Sequence, residues 1–127
     1  MLLFCLGLTP ITAQTGGNTA DEAAVKFLDL YNQGKWFDAC KLYATPGCDD
    51  QLSFMFKKMD TDDNYVDEGK CTVKIDTCII GKDKNTAQCF YTKTCSGLKK
   101  PAKHVLNLVL QNGRWYVEYI WKRDRYI

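Results

Sequence analysis

A single imidazole, His104, is all the histidine in this 127-residue chain, and that scarcity removes most catalytic and metal-binding designs at once. As a lone general base it would need an orienting carboxylate, and no neighbour in sequence supplies one. Neither HExxH nor GxSxG occurs, and there is no glycine-rich phosphate loop, so zinc-peptidase, serine-hydrolase and nucleotide chemistry lack their usual scaffolds. No CxxC pair is present, which leaves a redox dithiol or a zinc site without its spacing. No cofactor and no metal are therefore expected. The formal net charge is only +2, too small to call for nucleic acid as a partner. No Asn-x-Ser/Thr sequon stands at Asn18, Asn64 or Asn85, and beyond the leader no apolar run is long enough to span a bilayer.

Cysteine, by contrast, is plentiful. Residues 1–14 (MLLFCLGLTPITAQ) carry an uncharged apolar stretch, Leu2 to Leu8, followed by small residues. This reads as a secretory signal peptide cut after Ala13 or Gln14. No Lys or Arg precedes Lys26, so either the true start lies upstream of Met1 or the leader is atypical. A lipid anchor at Cys5 is the alternative, against which Phe4 occupies the place of a small residue. With Cys5 removed, six cysteines remain, at 40, 48, 71, 78, 89 and 95. An even set in a small exported domain reads as a disulfide framework, and the expected location is secreted or periplasmic. Residues 15–18 read as a flexible tether and 19–127 as one domain, about 110 residues with one modest core.

Thr19 followed by Glu22 forms a capping box that opens a helix. Ala20, Ala24, Phe27, Leu28 and Tyr31 give it one buried stripe, and Gly34 ends it. A second helix is predicted from about Trp36 to Tyr43, broken by Pro46-Gly47. A third begins near Asp49, with Leu52, Met55, Phe56 and Met59 on one face. After a polar loop the period changes to that of strands. Segment 71–80 alternates Val73, Ile75 and Ile79 against Lys74 and Asp76, and 86–95 returns as its hairpin partner after a turn at Gly81 to Asn85. Segments 104–111 and 114–121 form a second hairpin around Asn112-Gly113, a dipeptide that tolerates positive φ at both turn centres. The fold class is α+β, with N-terminal helices packed on a curved antiparallel sheet of about four strands. On the outer sheet face Val105, Val109, Tyr116 and Ile120 are also apolar, which predicts cover by a second subunit.

Hairpin register constrains the bridges. A turn centred on 83 sets Cys78 near Cys89 and Cys71 near Cys95, leaving Cys40 for Cys48. The two strand pairs imply registers one residue apart, so both form only if a bulge intervenes.

Charge is unevenly spread. Acid gathers at Asp60, Asp62, Asp63, Asp67 and Glu68, whereas Lys99, Lys100, Lys103, Lys122, Arg123 and Arg125 come later. A solvated surface accounts for both. Asp60 to Asn64 starts like a calcium loop, but Tyr65 stands where the turn needs Gly and Cys71 where a Glu belongs. Aromatic content is high, and a curved sheet under helices leaves room for a concave apolar pocket. Its expected lining is Phe27, Tyr31, Met55, Tyr91, Leu108 and Trp115.

The run Asn32-Gln33-Gly34-Lys35-Trp36 with Ala39 and Leu42-Tyr43-Ala44 resembles the opening of the nuclear-transport-factor-two-like superfamily, of cystatin-like fold. The ending from Leu108 to Val117 (LVLQNGRWYV) resembles the last hairpin of that superfamily's small exported members. The resemblance implies a cone-shaped roll, a pocket between helices and sheet, and a homodimer through the sheet. It also implies, for the superfamily's isomerases, a tyrosine hydroxyl where this chain has Phe27, and a carboxylate near Asp49 or Asp50. The functional expectation is an exported, disulfide-stabilised, non-enzymatic domain binding a small apolar ligand or a partner protein. The alternatives are an isomerase- or dehydratase-type pocket enzyme using Asp49 or Asp50 with Tyr31 or His104, and an inhibitor or effector acting through its surface.

Overall fold

The computed structural model describes residues 15–60 and 68–119, with the backbone alone for 59 and 60. The expected leader with Cys5 and its expected cleavage point, residues 61–67 with most of the acidic run and of the calcium-like sequence, Ile120, Trp121 and the basic residues beyond lie outside the described residues. The side chain of Met59 does too. The described residues form three helices, α1 (Ala20–Asn32), α2 (Trp36–Tyr43) and α3 (Cys48–Asp60). Four strands follow, β1 (Cys71–Ile80), β2 (Thr86–Cys95), β3 (Ala102–Gln111) and β4 (Arg114–Val117). The strands pair in chain order as one curled antiparallel sheet, a half-barrel with the helices on its concave side.

Capping chemistry sets the ends of α1. Thr19 Oγ1 accepts the Glu22 amide at 3.2 Å, and the Glu22 carboxylate reaches past Thr19 to accept the Asn18 amide at 3.2 Å. At the other end Gly34, with φ +80°, lets the Lys35 amide reach the Leu30 carbonyl at 2.9 Å and the Gly34 amide reach Tyr31 at 3.1 Å. That bond pair closes a helix on a left-handed residue, which glycine adopts without steric cost. Between these ends Ala20, Ala23, Ala24, Phe27 and Leu28 turn inward. The small alanines let the helix sit close to the sheet, and Phe27 fills the centre.

The core joins that stripe to Ala39, Leu52 and Met55 from the other helices and to Ala87, Leu106, Leu108, Trp115 and Val117 from the sheet. Phe27, Leu52, Leu108 and Val117 are among the largest fully buried side chains. Burying each contributes about 1.5–3 kcal/mol before entropy is counted.

The three bridges are Cys40–Cys48, Cys71–Cys95 and Cys78–Cys89. The first closes the α2–α3 connection; the other two cross β1 and β2. Cys78 follows Cys71 by seven positions but Cys95 follows Cys89 by six, so strict alternation cannot place both cystines on one face. The ladder resolves this with a register shift between Ile75 and Thr77, which makes Asp76 the extra residue. The shift also corrects one expectation. Simple alternation groups Ile79 with Val73 and Ile75, but the bulge turns it to the convex face, where it is 56% exposed.

Two further differences concern the periphery. Residues 15–18, expected as a tether, run along β4. Gly17 exchanges both backbone bonds with Trp115 at 2.9 Å, and the Gly16 amide donates to the Leu42 carbonyl at 2.7 Å. Arg114 donates to the carbonyls of Thr15 and Gly16, at 3.0 Å each, and to Asn18 Oδ1. A Cβ on Gly16 would stand 2.8 Å from both the Trp115 carbonyl and the Tyr116 ring. Only glycine fits there. Below it, the Thr45 amide donates to the Val117 carbonyl at 2.9 Å, so β4's outer edge is covered. The outer face is also less apolar than alternation suggested. Phe90, Val105 and Val109 are half-buried, Thr15 and Gly16 cover Tyr116, and a Gln88–Asn107 hydrogen bond of 3.3 Å separates them.

Candidate binding cleft

Where α1 begins beside the C-terminal half of β1, the packing leaves an open cleft of about 640 Å³. One wall is Asn18 to Asp21 with Val25, the other is Ile75 to Cys78 with Ile80, and Trp115 lies beneath. The cap at Thr19 fixes the first wall, since it sets the angle at which α1 leaves the sheet. The bulge fixes the second, because it brings Cys78 and Ile80 back to the concave side after Ile75. Val25 and Ile80, at 41% and 48% exposure, are large apolar side chains left facing solvent.

The polar groups at the rim are mostly engaged. Asp76 Oδ2 accepts the Thr92 hydroxyl at 2.6 Å, with Lys103 Nζ 3.8 Å away. Asn18 accepts from Arg114, and Thr19 caps the helix. Asp21 is exposed in the first turn of α1, where the helix dipole favours a carboxylate. No histidine lines the cleft, and its cysteine, Cys78, is bridged to Cys89. Such a lining offers apolar contact and a few hydrogen bonds.

Most of the residues expected to line a pocket sit elsewhere. Phe27, Met55 and Leu108 are packed in the core, and of the six only Trp115 also borders the cleft. Tyr31 is half-buried in a cluster with Phe27 and Tyr119, ring centroids 5.8–6.0 Å apart. The Tyr31 and Tyr119 hydroxyls lie 3.3 Å apart, and each reaches Met55 Sδ at 3.6 Å. Two hydroxyl protons serve at most two of these three contacts at a time. Tyr91 stacks on His104 at 5.4 Å across the β2–β3 pair. The volume foreseen between helices and sheet is thus largely filled by these side chains.

The residues of the enzymatic alternative are spread over separate elements. Asp49 and Asp50 are exposed in the first turn of α3, His104 is on β3, and none of them lines the cleft. Glu68, Cys71 and Cys95 place three ligand-type atoms within 4.8 Å of one another. Both sulfurs are joined in a disulfide and Glu68 is bonded to Lys93 Nζ at 2.7 Å, so they do not offer thiolates to a metal.

The cleft was not legible in the sequence, because it depends on how closely α1 approaches β1. One signal did exist. The odd-against-even cysteine spacing demanded a bulge, and bulges re-aim side chains where strands meet sites. No helix among the described residues is long and apolar enough to cross a membrane. No protein-family model matches the chain, and neither the curated proteins nor the solved structures compared with it give a match.

Proposed function

We propose that this chain is an exported, disulfide-stapled binding domain without catalytic machinery, and that it takes a small apolar ligand or an apolar part of a partner protein in the α1–β1 cleft. The observation that carries the reading is the cleft itself, where Val25, Ile75, Ile80 and Trp115 present apolar surface beside a few fixed polar groups. The three disulfides support export, since such bridges persist in oxidising compartments. The helix-then-meander order and the glycine turn after α1 support membership of the nuclear-transport-factor-two-like superfamily, which is part of the same proposal. So is a homodimer through the outer sheet face, at Phe90, Val105 and Val109; light scattering that finds only monomer at high concentration removes it.

The cleft reading is tested with a neutral apolar fluorophore, N-phenylnaphthylamine, titrated into the oxidised protein. Expected are saturable fluorescence and resonance shifts at Val25, Ile80 and the Trp115 indole. Val25→Glu weakens binding about tenfold by setting a charge against the apolar wall. Shifts confined to other residues, or no saturation, would refute the assignment.

A further inference from the structure

One wall of the cleft is a strand edge that no described residue pairs. Among the described residues β1 is an outer strand of the sheet, bonded to β2 alone. The Gly81 amide donates to the Thr86 carbonyl at 2.8 Å, and the Ser96 amide to Lys70 at 2.9 Å. Bonded and non-bonded pairs alternate along an antiparallel ladder. With the shift at Asp76, Val73, Ile75, Cys78 and Ile80 therefore turn their amides and carbonyls away from β2. The 4.0 Å Cα separation of Cys78 and Cys89 agrees with a non-bonded pair. Among the described residues no other element hydrogen-bonds the backbone of Cys78 or Ile80.

We infer that the cleft takes an extended peptide from a partner protein, laid along Thr77–Ile80 as an added strand, with apolar side chains against Val25 and Trp115 and a cationic neighbour toward Asp21. This rests on the reading that the cleft is the binding site, and it names the occupant. Three observations select a peptide over a small apolar molecule. The outward backbone groups of Cys78 and Ile80 are spaced to bond another backbone in register, which a small apolar molecule cannot do. A strand alternates its side chains between two faces, and both faces are apolar beside this edge, with Val25 and Trp115 inside and exposed Ile79 outside. Asp76 is taken up by Thr92 and Lys103, which leaves the exposed Asp21 as the lining's free carboxylate, with no cation among the described lining residues, so the cleft complements a peptide with a cationic neighbour. The shift at Asp76 and the exposed Lys74 close off the lower half of the edge, which limits the docked segment to a few residues.

The probe is acetyl-Lys-Val-Thr-Val-Lys-amide, titrated into the isotope-labelled, oxidised protein and followed by amide shifts and hydrogen exchange. Expected are saturable shifts and slowed exchange at Cys78 and Ile80. Affinity falls roughly tenfold when the central peptide amide is N-methylated, through lost backbone bonds. It falls by a similar factor in Ile80→Pro, which deletes the outward amide while the β1–β2 bonds of Ile79 and Gly81 stay. Asp21→Asn weakens binding a few-fold at low salt. The Ile79 and Gly81 amides stay protected in Ile80→Pro, so the loss is not one of fold. Equal affinity for the N-methylated peptide, or no peptide binding while the fluorophore still saturates, overturns the inference and leaves the cleft reading intact. Failure of both ligands overturns both. Dimerisation that Ile80→Pro abolishes would put a second copy on the edge and overturn the peptide.

Discussion

The two hairpins of this sheet hold together by different means. β3 and β4 contain no cysteine; they meet at an Asn-Gly turn and bury Leu106, Leu108, Trp115 and Val117 under the helices. Residues 15–17 and 44–45 cover the free edge of β4. β1 and β2 bury little beyond Ala87, Cys89 and Cys95; Val73 and Ile75 are half-buried, and no described residue pairs with the free edge of β1. Two cystines staple that pair instead. Cross-links limit the unfolded chain whether or not the folded side chains exclude water, so they can hold a strand whose edge stays open. Apolar burial holds a strand only by covering it. The open edge and its cystines therefore belong together.

The largest test of this contrast deletes apolar volume from each hairpin. Leu108→Ala, at a position 1% exposed, is expected to cost about 3–4 kcal/mol in urea unfolding. Ile75→Ala, on the half-buried strand, is expected to cost about 1 kcal/mol. Equal losses would mean that the cystine-bearing hairpin relies on burial after all.

The next test removes the staples. The Cys71–Cys95 bridge closes a separation of 24 residues and Cys78–Cys89 one of 11. Replacing either pair with serine is expected to cost about 3 kcal/mol. The smaller loop lies inside the larger, so with one bridge intact the other closes less chain, and the two losses should not add. Under mild reduction, β1 amides should exchange before those of Leu106 and Leu108. Simultaneous loss of protection in both hairpins would contradict the division of labour.

Much of this architecture was readable beforehand, for identifiable reasons. The α1 stripe, the glycine stop at Gly34 and the Asn112-Gly113 turn are local signals, each set by residues within a few positions of one another. The bulge was readable from cysteine spacing, because two cystines between one strand pair impose a parity. The pocket was not. Phe27, Met55 and Leu108 have the composition of a lining, and whether such side chains enclose space or fill it depends on volumes summed over three layers. The pairing of residues 15–18 with β4 was hidden as well. Gly16 and Gly17 read as a loose tether until the Trp115 carbonyl and the Tyr116 ring beside them are known.

The two turns extend the comparison at smaller scale. Gly113 has φ +78°, and nothing lies within 4 Å of the place a Cβ would take, so Gly113→Ala carries backbone strain alone, about 1 kcal/mol in thermal unfolding. In the β1–β2 turn the left-handed position is held by Lys84, φ 63°. Lys84→Gly removes that strain but adds unfolded-chain entropy, and should lie within about 0.5 kcal/mol of neutral. A clear stabilisation would mean that the turn, besides the cystines, was limiting this hairpin.

The smallest expected effect is a titration in the same turn. Asp83 Oδ1 accepts the Asn85 amide at 3.0 Å and the Thr86 hydroxyl at 3.1 Å. The backbone bond from Asn85, then the Thr86 hydroxyl, hold its carboxyl below the usual value of 3.8. Both bonds favour the ionised form, so whatever stability they lend is present above the unfolded-state value and is lost as pH falls through the lower folded-state value. The side chain is fully exposed to solvent, so the global unfolding midpoint should barely register the change. Carbon-detected titration of Asp83 should give a midpoint below that of a free aspartate, and Asn85→Pro, which removes the donating amide, should move it back up. An unshifted midpoint in the unaltered protein would mean that the turn opens in solution. The β1–β2 pair would then be held at its stapled positions alone, with its tip as open as its edge.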